Sequence, residues 1–168
     1  VADAKYSNAG RLISGMPQPK RVSGTVASAI YAGDFLILAS NKASPASALA
    51  DAGTKAQNQE AGHDVFLGVA LDAKIAGDTR DVLIASRGEY KYPCAALGSA
   101  SDPGAYVGIA GTGVGGADGL ADQIVEIVAT PNLAIGRLSR RAEIGATELF
   151  FELAGTLTTT HAGPQTMA

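Results

Sequence analysis

The chain reads as an all-β protein, a compact β-sandwich or β-barrel built from a duplicated β-motif. Three observations point there. Short apolar runs recur, separated by turn residues: "DFLIL", "DVFLGVALD", "DVLIAS", "GAYVGI", "QIVEIVA" and "TELFFELAG". Several alternate with a period of two, as a half-buried strand does. Two stretches also echo each other in order. "FLGVALDAKIAGDTRDVLIAS" can be laid on "AIGRLSRRAEIGATELFFELA", with Gly68 on Gly136, Gly77 on Gly145 and Thr79 on Thr147.

Taken in order, residues 1–23 show little periodicity. "SGMPQPKRVSG" carries two prolines, which lack an N–H and fix φ, so the segment is unsuited to a central strand or a helix interior. It reads as an extended N-terminal arm, either frayed or docked, whose Arg11, Met16, Lys20 and Arg21 are the candidate contact residues. The β domain is expected over 24–155 and a C-terminal tail over 156–168.

From Thr25 the apolar runs begin, with a turn at Ala32-Gly33-Asp34. Residues 44–62, "SPASALADAGTKAQNQEAG", are alanine-rich. A helix there would start after Ser44, with Pro45 at its first position, and stop at Gly53. Leu49 is its one large apolar residue, so a long loop with one or two helical turns is expected. In "EYKYP", Tyr90 and Tyr92 share one face and Glu89 and Lys91 the other. The duplication sets Asp34 against Asp102 and the loop 40–63 against the loop 110–123.

The last strand is the most informative. In "TELFFEL", Leu149, Phe151 and Leu153 form a core face, while Glu148, Phe150 and Glu152 point outward. Phe150 is either an isolated exposed residue or part of a subunit interface. Arg140 and Arg141 of "SRRAE" would pair with those acids across subunits.

Function classes are excluded by what the residues lack. Net charge is −3, without the basic excess that attracts nucleic acid. No apolar run reaches the roughly 18 residues of a membrane span. The first ten residues lack the charged-then-apolar pattern of a signal peptide, so the chain reads as soluble. A single cysteine, Cys94 in the apolar "YPCAAL", allows no internal disulfide and no cysteine-cluster metal site. His63 and His161 stand in no ligand spacing. "GIAGTGVGG" contains the GxGxxG spacing at Gly111, Gly113 and Gly116, but a dinucleotide turn needs a helix next. Here "ADGLAD" and the β-type "IVEIVA" follow, so a loop between strands is expected. No catalytic, cofactor-binding or metal-binding residues are assigned, and no small-molecule substrate.

Together, "IYAGDFLIL", "FLGVALDAK", "DVLIASRGEYKYP", "SDPGAYVGI" and "AIGRLSRRAEIGATELFFEL" resemble the capsid decoration, or cement, proteins of tailed bacteriophages over about residues 24–155. The resemblance implies a non-enzymatic virion protein on the capsid exterior, assembled in the host cytoplasm. It implies a homotrimer whose partner is the major capsid protein, with neighbouring capsid subunits bridged and the head stabilised. The alternatives are a head-fibre or tail-associated base domain, and a small all-β module that binds carbohydrate or peptide.

Overall fold

The fold is that of a computed structural model, which describes residues 11–14, 19–22, 28–112 and 119–153, the first two segments by their backbone. Met16, the loop 113–118 and the tail 156–168 lie outside the described residues.

The described strands are β1 (Arg11–Ser14), β2 (Pro19–Val22), β3 (Phe35–Ala39), β4 (Lys42–Pro45), β5 (Phe66–Ala70), β6 (Val82–Ala85), β7 (Glu89–Pro93), β8 (Tyr106–Gly111), β9 (Leu120–Val128), β10 (Gly136–Leu138) and β11 (Glu148–Leu153). They form two antiparallel sheets. One has the order β1-β7-β11-β10-β8-β9, the other β2-β6-β5-β3-β4. The protein is all-β, as its alternating runs predict.

Two strands of the 1–23 segment join the body. β1 pairs with β7, Arg11 opposite Lys91, and β2 pairs with β6, Pro19 opposite Ala85. Both are edge strands, one on each sheet, and the edge is where a strand tolerates proline.

The duplication is visible in the topology. The order β6-β5-β3-β4 in one sheet repeats as β11-β10-β8-β9 in the other. Matching hydrogen bonds fix the equivalences. Gly33 N–H donates to Ala70 O at 2.8 Å, as Gly104 N–H does to Leu138 O at 2.8 Å. Gly33 and Gly104 both have φ of 94°, a left-handed conformation that glycine adopts without a Cβ penalty. Ile30 bridges to Lys74 as Ser101 bridges to Ala142.

Two sequence alignments need correcting. Asp34 matches Ala105, because the equivalent turns centre on Gly33 and Gly104, and not Asp102. The loop 40–63 is not the counterpart of 110–123. The β8–β9 hairpin loop corresponds to the two-residue turn Ser40-Asn41 between β3 and β4, both residues at positive φ, 49° and 60°. The stretch after β4 corresponds to the one after β9, which holds a short 3-10 turn at Pro131–Leu133.

That stretch after β4 also departs from expectation. It holds a 3-10 turn at Ala46–Ala48 and then α1 (Lys55–Asp64), which starts beyond Gly53 where the sequence reading ends any helix. The Thr54 side chain accepts from Gln57 N–H and caps it. The helix is held by polar contacts in place of an apolar stripe. Its buried side is Asn58, Gln59 and Gly62. Gln59 Nε2 donates to Ile109 O at 2.8 Å and to Glu126 at 2.7 Å, and Lys55 pairs with Glu126 at 3.0 Å. Gly62 lets the helix approach Leu120, whose Cδ1 would lie 2.6 Å from an added Cβ.

The main core lies between the sheets. Phe35, Phe66, Val69 and Ala85 from the five-stranded sheet meet Tyr90, Tyr92, Val107, Leu149 and Phe151 from the six-stranded one. Rings touch in sequence, with Phe35–Tyr92 centroids at 4.5 Å and Tyr92–Phe151 at 5.9 Å. A second cluster, with Ile30, Leu36, Leu67, Val82 and Ile84, lies on the other face of the five-stranded sheet.

Candidate functional site

The repeats stack in one direction. By the equivalences above, Phe35, Val69 and Ala85, which face the six-stranded sheet, match Tyr106, Arg137 and Glu152. Those three lie in one cross-strand row on the outer face of the six-stranded sheet, where Arg137 and Glu152 are exposed and Tyr106 half-buried. α1 and the Pro131–Leu133 turn pack against β8 and β9, so the outer face over β7, β11 and β10 stays open among the described residues.

On that face two arginines lie over aromatic rings. Arg140 sits 4.4 Å from the Phe150 centroid and Arg137 4.7 Å from that of Tyr106. Arg140 also pairs with Glu89 at 2.9 Å, and Ser139 Oγ donates to the same carboxylate at 2.7 Å. This cover buries Glu89, which the strand pattern alone places on the outer side with Lys91. Lys91 pairs with Glu148 at 2.9 Å. Arg141 pairs with Glu143 at 2.8 Å and with Asp102.

The structure therefore gathers Glu148, Phe150, Glu152 and Arg140 on one face. It gives Arg140 and Arg141 acidic partners inside the chain: Glu89, Glu143 and Asp102. Arg137 and Tyr106 escape the sequence reading, because only the strand register places them beside Glu152. Of the arm residues, Arg11 stands opposite Lys91, Lys20 opposite Ile84 and Arg21 opposite Leu83.

The second surface feature is a pair of turn tips. Ile75 and Ile144 are 76% and 71% exposed, the most exposed large apolar residues described. They occupy adjacent positions of equivalent turns. In one, Asp78 N–H donates to Ile75 O at 3.1 Å with Gly77 at φ 84°. In the other, Ala146 N–H donates to Glu143 O at 3.0 Å with Gly145 at φ 81°. A large apolar residue within two positions of a turn glycine in both repeats was the available sequence signal.

Residues 108–112 of the "GIAGTGVGG" stretch belong to the β8 side of an antiparallel strand pair, and Gly113 and Gly116 lie outside the described residues. Thr112 N–H donates to Gly119 O at 2.6 Å and β9 runs back along β8, so a strand stands where a dinucleotide site needs a helix. Burial, and next the nearby Glu148, push the Cys94 thiol pKa up, which disfavours the thiolate. Among the described residues no group of three His, Cys, Asp or Glu side chains could hold a metal ion. No described helix is long and apolar enough to cross a membrane.

No family model and no curated protein matches the chain. Among solved structures, the head fiber gp8.5 N base of bacteriophage phi29 is similar at a TM-score of 0.43 and 14% identity, over 82% of this chain and 96% of that one.

Proposed function

We propose that the chain is a structural protein of a tailed-phage virion, without enzymatic activity, that binds the capsid exterior and bridges neighbouring copies of the major capsid protein. The strings that carry the resemblance to decoration proteins form β3, β5, β6, β8, β10 and β11 of the duplicated frame, together with β7. The observation that carries the reading is the matched pair of exposed isoleucines on equivalent turns. Two like apolar knobs suit two like sockets, which a lattice of identical subunits offers. Engaging both links the subunits and raises avidity well above either contact alone.

The test is cosedimentation with undecorated heads assembled from the cognate major capsid protein. The unaltered chain binds. Ile75→Asp and Ile144→Asp each weaken binding at least about tenfold, and the double variant stays in the supernatant. A chain that does not pellet with heads refutes the function. Binding that survives the double variant refutes the assigned contacts.

A further inference from the structure

We infer that the open outer face of the six-stranded sheet, over β7, β11 and β10, is an interface between two copies of this chain. The copies are related by a two-fold axis running along the strands between β10 and β11. This inference does not depend on capsid binding.

The first ground is that a side of the motif used for contact in one repeat is exposed in the other. Phe35, Val69 and Ala85 carry the contact between the two sheets inside the chain. Of the matched positions of the second repeat, Arg137 and Glu152 are exposed and Tyr106 is half-buried beneath Arg137. Within the chain that side meets the opposite side of the other repeat, and in the inferred dimer it meets its own copy.

The second ground is charge self-complementarity. Arg137 and Glu152 are cross-strand partners, side by side on β10 and β11. A rotation about an axis between those strands sets Arg137 of one copy over Glu152 of the other, and Glu152 over Arg137. An isologous contact needs this reciprocity. A face of one sign would repel its own copy.

The third ground is preorganisation. The Tyr106 and Phe150 rings hold the guanidinium groups of Arg137 and Arg140 over them before any partner arrives. Less side-chain freedom is then lost on association. Arginine with tyrosine or phenylalanine is also the composition enriched at interfaces.

The experiment is sedimentation velocity of the full chain over a concentration series, in buffer of fixed salt. The expected particle has twice the 16.9 kDa of one chain. Arg137→Glu and Glu152→Arg each occur twice in a two-fold contact. Each variant raises the dissociation constant by about 100-fold, tenfold per copy of the lost pair. An equimolar mixture of the two variants regains the dimer, because one face is then acidic and the other basic. Both positions are exposed, and an unchanged circular dichroism spectrum verifies that each variant folds. A chain that stays monomeric throughout the series overturns the inference. So does the trimer that the decoration-protein resemblance implies, a mixture of variants that stays monomeric, or single variants as dimeric as the unaltered chain.

Discussion

Replacing Tyr92 by Phe removes one oxygen from the centre of the molecule and should cost less stability at alkaline than at neutral pH. Tyr92 is fully buried, and its hydroxyl donates to the buried Gly33 carbonyl at 2.5 Å. That bond ties the first repeat's turn to the six-stranded sheet. Without the donor the carbonyl stays buried and unpaired, which costs about 2 kcal/mol. For a chain of 168 residues this lowers Tm by about 6 °C at pH 7. Burial pushes the Tyr92 pKa well above 10.0, with Tyr90 and Asp34 adding to the effect. In the unfolded chain the phenol ionises at its ordinary value. As pH rises past 10 the native state holds the proton that the unfolded state releases, so stability falls with pH. At pH 11 the group costs about 1.4 kcal/mol through this term alone. The gap between the unaltered chain and Tyr92→Phe should therefore narrow from about 2 to about 0.6 kcal/mol between pH 7 and pH 11. Urea unfolding followed by circular dichroism at the two pH values measures it. A gap that stays constant would refute the assignment of Tyr92 as a buried, proton-retaining donor. Tyr90, pushed up to about 12 by burial, leaves a residual alkaline loss in both proteins.

Gly136→Ala puts a Cβ 2.2 Å from the Glu152 carbonyl oxygen, and Gly68→Ala puts one 2.3 Å from that of Ala85 at a φ of 141°. Neither backbone can yield without parting a strand pair, so each loses about 3 kcal/mol or more in a urea titration. Gly62→Ala meets only the end of the Leu120 side chain, which can rotate, and should cost less than either in the same titration. Thr54→Ala removes the cap of α1 and should cost about 1 kcal/mol by thermal unfolding. Ser40→Gly relieves a left-handed residue in the β3–β4 turn and should raise stability by about 1 kcal/mol, read by the same thermal unfolding.

The strands of the apolar runs were legible because each carries its own signal, whereas β1, β2 and β4 fall in stretches that read as an arm and a loop. Alternation in "EYKYP" and "TELFFEL" follows from one face meeting the core, and the turn glycines at 33, 77, 104 and 145 follow from positive φ. α1 was not legible because helix reading looks for an apolar stripe. Its buried side is an asparagine, a glutamine and a glycine, which pack through hydrogen bonds and close approach to partners far along the chain. The outer-face stacks were hidden for a related reason. Arg137 and Tyr106 are far apart in sequence, and only the β10–β8 register makes them neighbours. The mismatched loops have another cause. A hairpin can close with the two residues Ser40-Asn41 or with a longer glycine-rich loop on the same strand frame. Loop length is therefore a poor guide to equivalence within a duplicated motif.

The direction of stacking explains why two copies of one β-motif carry different residues at equivalent positions. In a repeat array each unit offers one face to the unit before it and one to the unit after, and a terminal unit needs a polar outer face. The first repeat uses Phe35, Val69 and Ala85 at this side because another sheet covers them. The second has Tyr106, Arg137 and Glu152 at the same places, which keep aromatic and aliphatic bulk but add charge. A third layer like those within the chain, built on apolar burial, is thereby excluded. A layer that brings the opposite charges in register is admitted. The substitution pattern thus ends an apolar stack and leaves a selective polar one, and it does so on the face where Phe150 already lies beneath Arg140.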